Sequence, residues 1–292
     1  MRMGKGIRLV LIYDNLLMVV ILARSMLVIK LIMKAFPGRF LIAKMTRLPL
    51  IGGMIDGMLF EDDDIIYLPQ DGVIDVNKSF GELVNMVMPS QVVEHFIDKA
   101  NYYWVMNWCI CRKSSRCKHY PQELGCLFLG EAAMKIDPRL GHPVTKDEAL
   151  QHIRKCRDAG LVQLVGRNKL DATWLDVSPG NKLLTICNCC PCCCLWRMLP
   201  DLSTKISSKV TKMPGIEVRV SQRCQGCGTC SQGICFVRAI HLENGHSVIS
   251  EDCRGCGRCV TICSNNAIEI LLHDEQYVEK SINRITRAVD VT

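Results

Sequence analysis

The chain has 292 residues, 49% hydrophobic and 22% charged, which excludes a disordered, collagenous or low-complexity protein. That length suits one large domain or two to three small ones. Its 19 cysteines and its net charge of +7 stand out, and both are local.

All the cysteines lie between Cys109 and Cys263. They come as Cys-x-Cys, Cys-x-x-Cys and vicinal pairs, spacings too tight for ordinary disulfides, whose Cα atoms sit about 4.4 to 6.8 Å apart in a fixed geometry. An odd total leaves at least one thiol over. This usage implies a reducing compartment and soft metals or iron–sulfur clusters bound by thiolate. The charge is equally uneven: residues 1–47 hold nine Lys or Arg and one acid, Asp14, leaving 27 bases against 28 acids elsewhere. The positive balance belongs to the N-terminus and does not point to nucleic acid.

In chain order, Leu9 to Met33 is strongly apolar but interrupted by Asp14, Arg24, Ser25 and Lys30. A spanning helix wants about 20 apolar residues, and a central Arg costs about 2.5 to 3.5 kcal/mol, so a simple span fits poorly. A helix apolar nearly all round with a basic stripe (Arg24, Lys30, Lys34) would lie on an anionic membrane surface or dock to a partner. A second apolar run, Leu48 to Phe60, ends in the acids Glu61 to Asp64. Both runs could equally be buried helices of the fold. A cleaved signal peptide is disfavoured by Asp14 and by the reduced thiols that follow.

Ile65 to Val76, with Asp71 and Gly72, reads as a short hairpin or extended connection. Ser90 to Asn107 reads as a helix, with Val93, Phe96, Ile97, Ala100 and Trp104 on a buried face and His95 solvated opposite. It leads into Cys109, Cys111, Cys117 and Cys126, interleaved with Arg112, Lys113, Arg116 and Lys118, whose charge would offset thiolate ligation. His119 is an alternative ligand to Cys117. Thr145 and Glu148 form a capping box for a helix from Lys146 to Ala159, closed by Gly160. Strands at Leu161 to Val165 and Leu183 to Ile186, with a turn at Gly166 to Lys169, then give an order that resembles the last part of a winged helix over some 40 residues. The helix carries Asp147, Glu148 and Asp158 beside its bases, so DNA binding is not expected. Cys156 reads as a buried structural thiol.

Cys187, Cys189, Cys190, Cys192, Cys193 and Cys194 fall within eight residues around Pro191. Pro191 bars a regular helix or central strand through the run. Thiols at this density have no packing rationale, so metal or cluster ligation is expected. With the first group they make ten candidate ligands, enough for two four-iron clusters or one larger assembly.

From Ile216 to Leu272 the spacing becomes specific. Cys224-x2-Cys227-x2-Cys230-x4-Cys235 is repeated, offset by 29 residues, as Cys253-x2-Cys256-x2-Cys259-x3-Cys263. Gly226, Gly228, Gly255 and Gly257 let the backbone wrap a cluster, and Ala239-Ile240 and Ala267-Ile268 begin strands over it. Zinc sites of four cysteines each would not need this duplicated glycine frame.

The module resembles the bacterial dicluster 4Fe-4S ferredoxin family. The resemblance implies that Cys224, Cys227, Cys230 and Cys263 hold one cluster, and Cys253, Cys256, Cys259 and Cys235 the other. The sequence departs from the family at Phe236 and Ser264, which stand where a proline follows the fourth cysteine, and in one extra residue before Cys235. The whole arrangement is similar to ferredoxin-domain proteins of anaerobic microbes.

The expected fold class is α+β: a basic apolar helical segment (1–60), a mainly helical Cys-rich domain with a winged-helix-like segment and an extra iron–sulfur site (61–215), a dicluster ferredoxin domain (216–272) and a C-terminal helix (273–292) with Val278, Ile282, Ile285 and Val289 inward. The expected function is electron transfer through two 4Fe-4S clusters and at least one further cluster, with redox partner proteins and a membrane surface met by residues 1–47, on the cytoplasmic side. The chain lacks a dinucleotide fingerprint, so electrons must come from partners. Alternatives are a reductase with an unusual thiolate-bound cluster in the middle domain, and a redox-sensing regulator.

Overall fold

The computed structural model describes residues 26–71 and 88–292. The expectations for Leu9 to Ser25 and for Gly72 to Val76 fall outside them.

Three helices open the described chain: α1 (Met26–Ala35), α2 (Arg39–Met45) and α3 (Pro49–Leu59). They turn only a narrow stripe inward: Ile29, Ala43 and Gly52 are buried, with Phe36 and Phe60 just beyond the ends of α1 and α3, while Leu50, Met54 and Leu41 are about two-thirds exposed or more. The reading of both apolar runs as buried helices is therefore corrected for these residues. A helix whose apolar residues outnumber the inward positions must leave some in solvent.

The middle of the chain is built on a sheet, not on helices. Its seven strands are β1 (Asp64–Tyr67), β2 (Tyr103–Met106), β3 (Leu127–Leu129), β4 (Gly141–Pro143), β5 (Val162–Arg167), β6 (Leu184–Cys189) and β7 (Val210–Lys212), in the spatial order β4-β2-β3-β6-β5-β1-β7. All pairs are antiparallel except β1 with β7. β1 thus joins strands remote in sequence rather than forming a local hairpin.

Helix α4 stops at Lys99 (Ser90–Lys99), because Ala100 turns extended and Tyr103 to Met106, aromatic and branched, pair with β3. Trp104 is a strand residue that fell in helical phase by coincidence. His95 is half-buried with its ring edge-on to Phe96, and burial lowers its pKa. After the short α5 (Ile110–Ser114) comes α6 (Lys146–Asp158), with the Thr145–Glu148 capping box in place and Gly160 at φ 70° behind it.

The expected turn at Gly166 to Lys169 is replaced by the end of β5 and a helix, α7 (Lys169–Leu175). Gly166 serves a close strand approach instead: a Cβ there would lie 1.9 Å from the Asp64 carbonyl oxygen. β5 and β6 are inner strands of the large sheet, not a two-stranded wing.

Alternation along the strands divides the core. Ile66, Val165, Leu184 and Ile186 face α4, α6, the C-terminal strands and the tail helix. Ile65, Tyr67, Leu164 and Cys189 face the opposite side, with Trp196, Met198 and Phe236.

After α8 (Thr204–Ser207) and β7, the C-terminal module consists of β8 (Ile216–Val220), the hairpin β9 (Ile240–Glu243) and β10 (His246–Ile249), a turn of helix α9 (Arg258–Thr261) and β11 (Ile268–Leu272). The tail helix α10 (Tyr277–Ala288) packs back on the body as expected, burying Val278 and Ile285. Arg284 anchors it with a two-pronged grip on the Asp64 carboxylate and a 2.8 Å hydrogen bond to Thr211.

Candidate metal centres

β8 and β11 pair antiparallel from Ile216–Leu272 to Val220–Ile268. The first motif follows β8 and Cys263 precedes β11, so this pairing returns Cys263 to the first three cysteines of the other motif. One small hollow is lined by Cys224, Cys227, Cys230 and Cys263, with Ser247 and Ala267. A second is lined by Cys235, Cys253, Cys256 and Cys259, with Tyr67, Phe236 and Ala239.

The duplication survives in the hydrogen bonding. Ala239 and Ala267 donate their amides to Cys235 and Cys263, each at 3.3 Å, and Gly255 donates to Cys253 at 3.4 Å. Gly226 and Gly228 sit at φ 67° and 76°, Gly255 and Gly257 at 66° and 78°. Gly226 cannot be larger, since a Cβ would meet the Gly245 carbonyl oxygen at 2.0 Å.

The two hollows differ in environment. Amides of Ser247 and Gly226 hold Cys224 below the ordinary thiol pKa, and the Thr229 amide does the same for exposed Cys227. In the second hollow burial pushes Cys256 up to about 12 and raises Cys253 and Cys259. Thiols held neutral this way ionise against a cation, and four of them with inward amides fit a thiolate-bound metal cluster.

Strand alternation and Pro191 sort the six central thiols. Cys187 and Cys189 lie on the side of β6 opposite Ile186, and Asn188 between them is tied to the Gly125 carbonyl at 3.0 Å and to Gln163 at 3.4 Å. The turn over Pro191 then redirects Cys190, Cys192 and Cys193 toward Cys117. These four sulfurs lie within 4.8 Å of one another. Cys192 touches Cys117 at 3.5 Å, Cys190 at 3.5 Å and Cys193 at 3.6 Å.

His119 is not among these sulfurs; its amide serves instead. Burial would raise Cys117, but the His119 amide and the Cys193 and Cys192 thiols bring it down. Burial pushes Cys193 up to about 12. Cys156, fully buried, packs against the tetrad with its sulfur 3.6 Å from His152 Nε2, and burial pushes it up to about 12.

The other six central thiols, Cys109, Cys111, Cys126, Cys187, Cys189 and Cys194, line a cavity of about 460 Å³, which Cys190 of the tetrad also borders. Between the two groups lies Arg112, 0% exposed, donating to the carbonyls of Pro121 (2.7 Å), Asn188 (2.7 Å) and Leu124. Burial would lower its pKa, yet Cys109, Cys190 and Cys189 hold it above the ordinary value. The sequence marked Arg112 only as one of four bases. Nothing in the spacing singled it out, nor Arg39 and the apolar residues of α1 to α3 that complete the cavity.

A family model described as a 4Fe-4S binding domain matches residues 246–269, which hold the second cysteine motif. The chain carries a 4Fe-4S binding domain. Neither a curated protein nor a solved structure matches the chain. Among the described residues no helix is long and apolar enough to cross a membrane.

Proposed function

We propose that this protein relays electrons through two 4Fe-4S clusters in its C-terminal module and at least one further cluster on the Cys117 tetrad, as part of a redox complex. Cys224, Cys227, Cys230 and Cys263 hold the first, and Cys253, Cys256, Cys259 and Cys235 the second. A 4Fe-4S cluster, when bound, takes up and gives off single electrons.

The observation that carries the reading is Arg258. It stands between Cys256 and Cys259, and its guanidinium donates to the Gly160 carbonyl at 2.7 Å and to the Tyr120 hydroxyl at 2.6 Å. Tyr120 and Leu161 pack against Cys117, Cys190 and Cys193. One side chain therefore clamps the second hollow to the tetrad, and no acid or base catalyst is needed for the transfer.

Iron and acid-labile sulfide on anaerobically isolated protein test this. At least about twelve irons per chain are expected. A count of about eight would remove the tetrad cluster, and zinc in place of iron would end the reading altogether.

The same proposal places residues 1–47 on an anionic surface at the cytoplasmic face of a membrane. Leu27, Leu31, Leu41 and Leu48 are each half-exposed or more beside exposed Lys30, Lys34, Lys44 and Arg47. Binding to phosphatidylserine vesicles is expected to exceed binding to phosphatidylcholine vesicles at least tenfold and to fall with salt. A Lys30→Glu, Lys34→Glu variant that bound the anionic vesicles as well as the wild type would refute the docking.

A reductase reading is favoured by one feature, the thiol-lined cavity. It would be supported by a spectrum that changes when a small-molecule or disulfide substrate is added.

A further inference from the structure

Among the ten central cysteines the tetrad accounts for four. The remaining six lie along the cavity wall. Cys126 touches Cys187 at 3.8 Å, and Cys189, two residues further along the same face of β6, meets Cys194 at 3.1 Å. Cys109 and Cys111, at the start of α5, line the same cavity. The six face one space, and Cys190 of the tetrad reaches its wall as well.

Two buried cations border that space. Arg112 is fully buried, and Arg39, 9% exposed, lines the cavity with its Nε unpartnered among the described residues. Arg112 is satisfied by three carbonyls, and Arg39 donates to the Phe36 carbonyl at 3.0 Å with Phe36 and Phe40 against its guanidinium. Yet none of these partners carries a negative charge, and an uncompensated buried charge is costly. Thiolates and metal-bound sulfide supply that compensation, and sulfide is an acceptor for the free Arg39 N–H. The rest of the wall is mostly apolar, with Val28, Ile32, Phe36, Leu59, Phe60 and Trp196, and Asn168, Asp171 and Thr173 are its polar members. A mostly apolar wall beside soft donors suits an iron–sulfur core. The space of about 460 Å³ is far larger than either hollow of the C-terminal module, about 20 Å³ and about 10 Å³ by the same measure.

We infer that Cys109, Cys111, Cys126, Cys187, Cys189 and Cys194 hold a metal–sulfur centre of their own, of four irons or more, separate from the cluster on the Cys117 tetrad. This rests on the reading of the protein as an iron–sulfur relay. Of the two arrangements open to the ten central cysteines, it takes two centres over one larger assembly, each next to the second hollow of the C-terminal module. The tetrad reaches that hollow through Arg258, and buried Tyr67, which lines the hollow, packs in one cluster with Cys189 and Cys194 of the cavity.

The test uses the full chain, isolated anaerobically and reconstituted with iron and sulfide. Iron per chain and Mössbauer spectra are compared for the wild type, Cys126→Ala with Cys187→Ala, Cys109→Ala with Cys111→Ala, and Cys117→Ala with Cys192→Ala, the last pair lying off the cavity wall. About sixteen irons or more are expected in the wild type. Either cavity variant should lose about a quarter of the iron or more, and the tetrad variant a different portion with a different spectrum. Retention of the C-terminal module's paramagnetic signal marks a folded chain.

About twelve irons in the wild type, unchanged in the cavity variants, would overturn the cavity centre and leave the relay standing. About eight would overturn both the cavity centre and the tetrad cluster. Loss of the same iron from the cavity and tetrad variants would show one shared assembly and overturn the separation. Should one cavity variant fail to fold, the other cavity pair supplies the same comparison.

Discussion

Cys263→Ala is expected to empty the site of Cys224, Cys227 and Cys230, although Cys263 belongs to the other motif. Antiparallel pairing of β8 with β11 sets Ile268 opposite Val220, and Cys263 lies five residues before Ile268. The same pairing keeps Cys263 away from the hollow that holds Cys253, Cys256 and Cys259. A 4Fe-4S cluster that loses one of four thiolates is lost or degraded, so the variant should keep about four fewer irons per chain. The check needs no prior assignment of signals. The reduced paramagnetic spectrum remaining in Cys263→Ala should match that of Cys227→Ala and differ from that of Cys256→Ala. Cys235→Ala should do the converse and match Cys256→Ala. If Cys263→Ala instead resembled Cys256→Ala, each motif would hold its own cluster and the crossed ligand set would be wrong.

Arg112→Met is expected to cost on the order of 3 to 5 kcal/mol and to lower the apparent unfolding temperature by about 10 °C. Its guanidinium donates to three carbonyls, those of partly exposed Pro121 and Leu124 on the loop that carries Cys117 and that of buried Asn188 on the strand that carries Cys187 and Cys189. Leaving the Asn188 carbonyl unpaired costs about 1 to 3 kcal/mol, and the lost packing of a fully buried side chain adds to it, offset in part by the removal of a buried charge. The loss should fall on the central iron as well, since the charge opposes repulsion among Cys109, Cys190 and Cys189. Arg112→Lys keeps the charge but not the planar fork that reaches three acceptors at once, so it should recover less than half of the stability. Scanning calorimetry with iron analysis checks both variants. A methionine variant within about 1 kcal/mol of the wild type would show that the three hydrogen bonds contribute little.

Covalent spacing decided what was legible in the sequence. The repeated Cys-x2-Cys-x2-Cys frame with its glycines predicted the C-terminal module, and the two hollows hold the two crossed sets of cysteines that the family resemblance implied. The Thr145 capping box and the inward face of the tail helix are equally local signals, fixed by residues three or four apart. Where the reading failed, partners far along the chain had taken over. Trp104 left its helix because β3 offered a ladder, and Gly166 served an adjacent strand rather than a turn. The supposed wing is two strands of a seven-stranded sheet because β1 and β3 cover its edges. Helical periodicity cannot report a strand partner that lies tens of residues away.

The same division governs the number that first set this chain apart, its 19 cysteines. Their order along the chain by itself pointed to soft metal bound by thiolate and set eight of them in a duplicated motif, the second copy of which the 4Fe-4S binding domain model matches, because ligand spacing within a motif is a property of the backbone. That four of the ten central cysteines form a tetrad while the other six, joined by Cys190, line a cavity was decided only by the tertiary structure. Alternation along β6 and the reversal at Pro191 send neighbouring thiols in opposite directions, and their partners, Cys117 on one side and Cys109, Cys111 and Cys126 on the other, arrive from a segment more than 60 residues earlier.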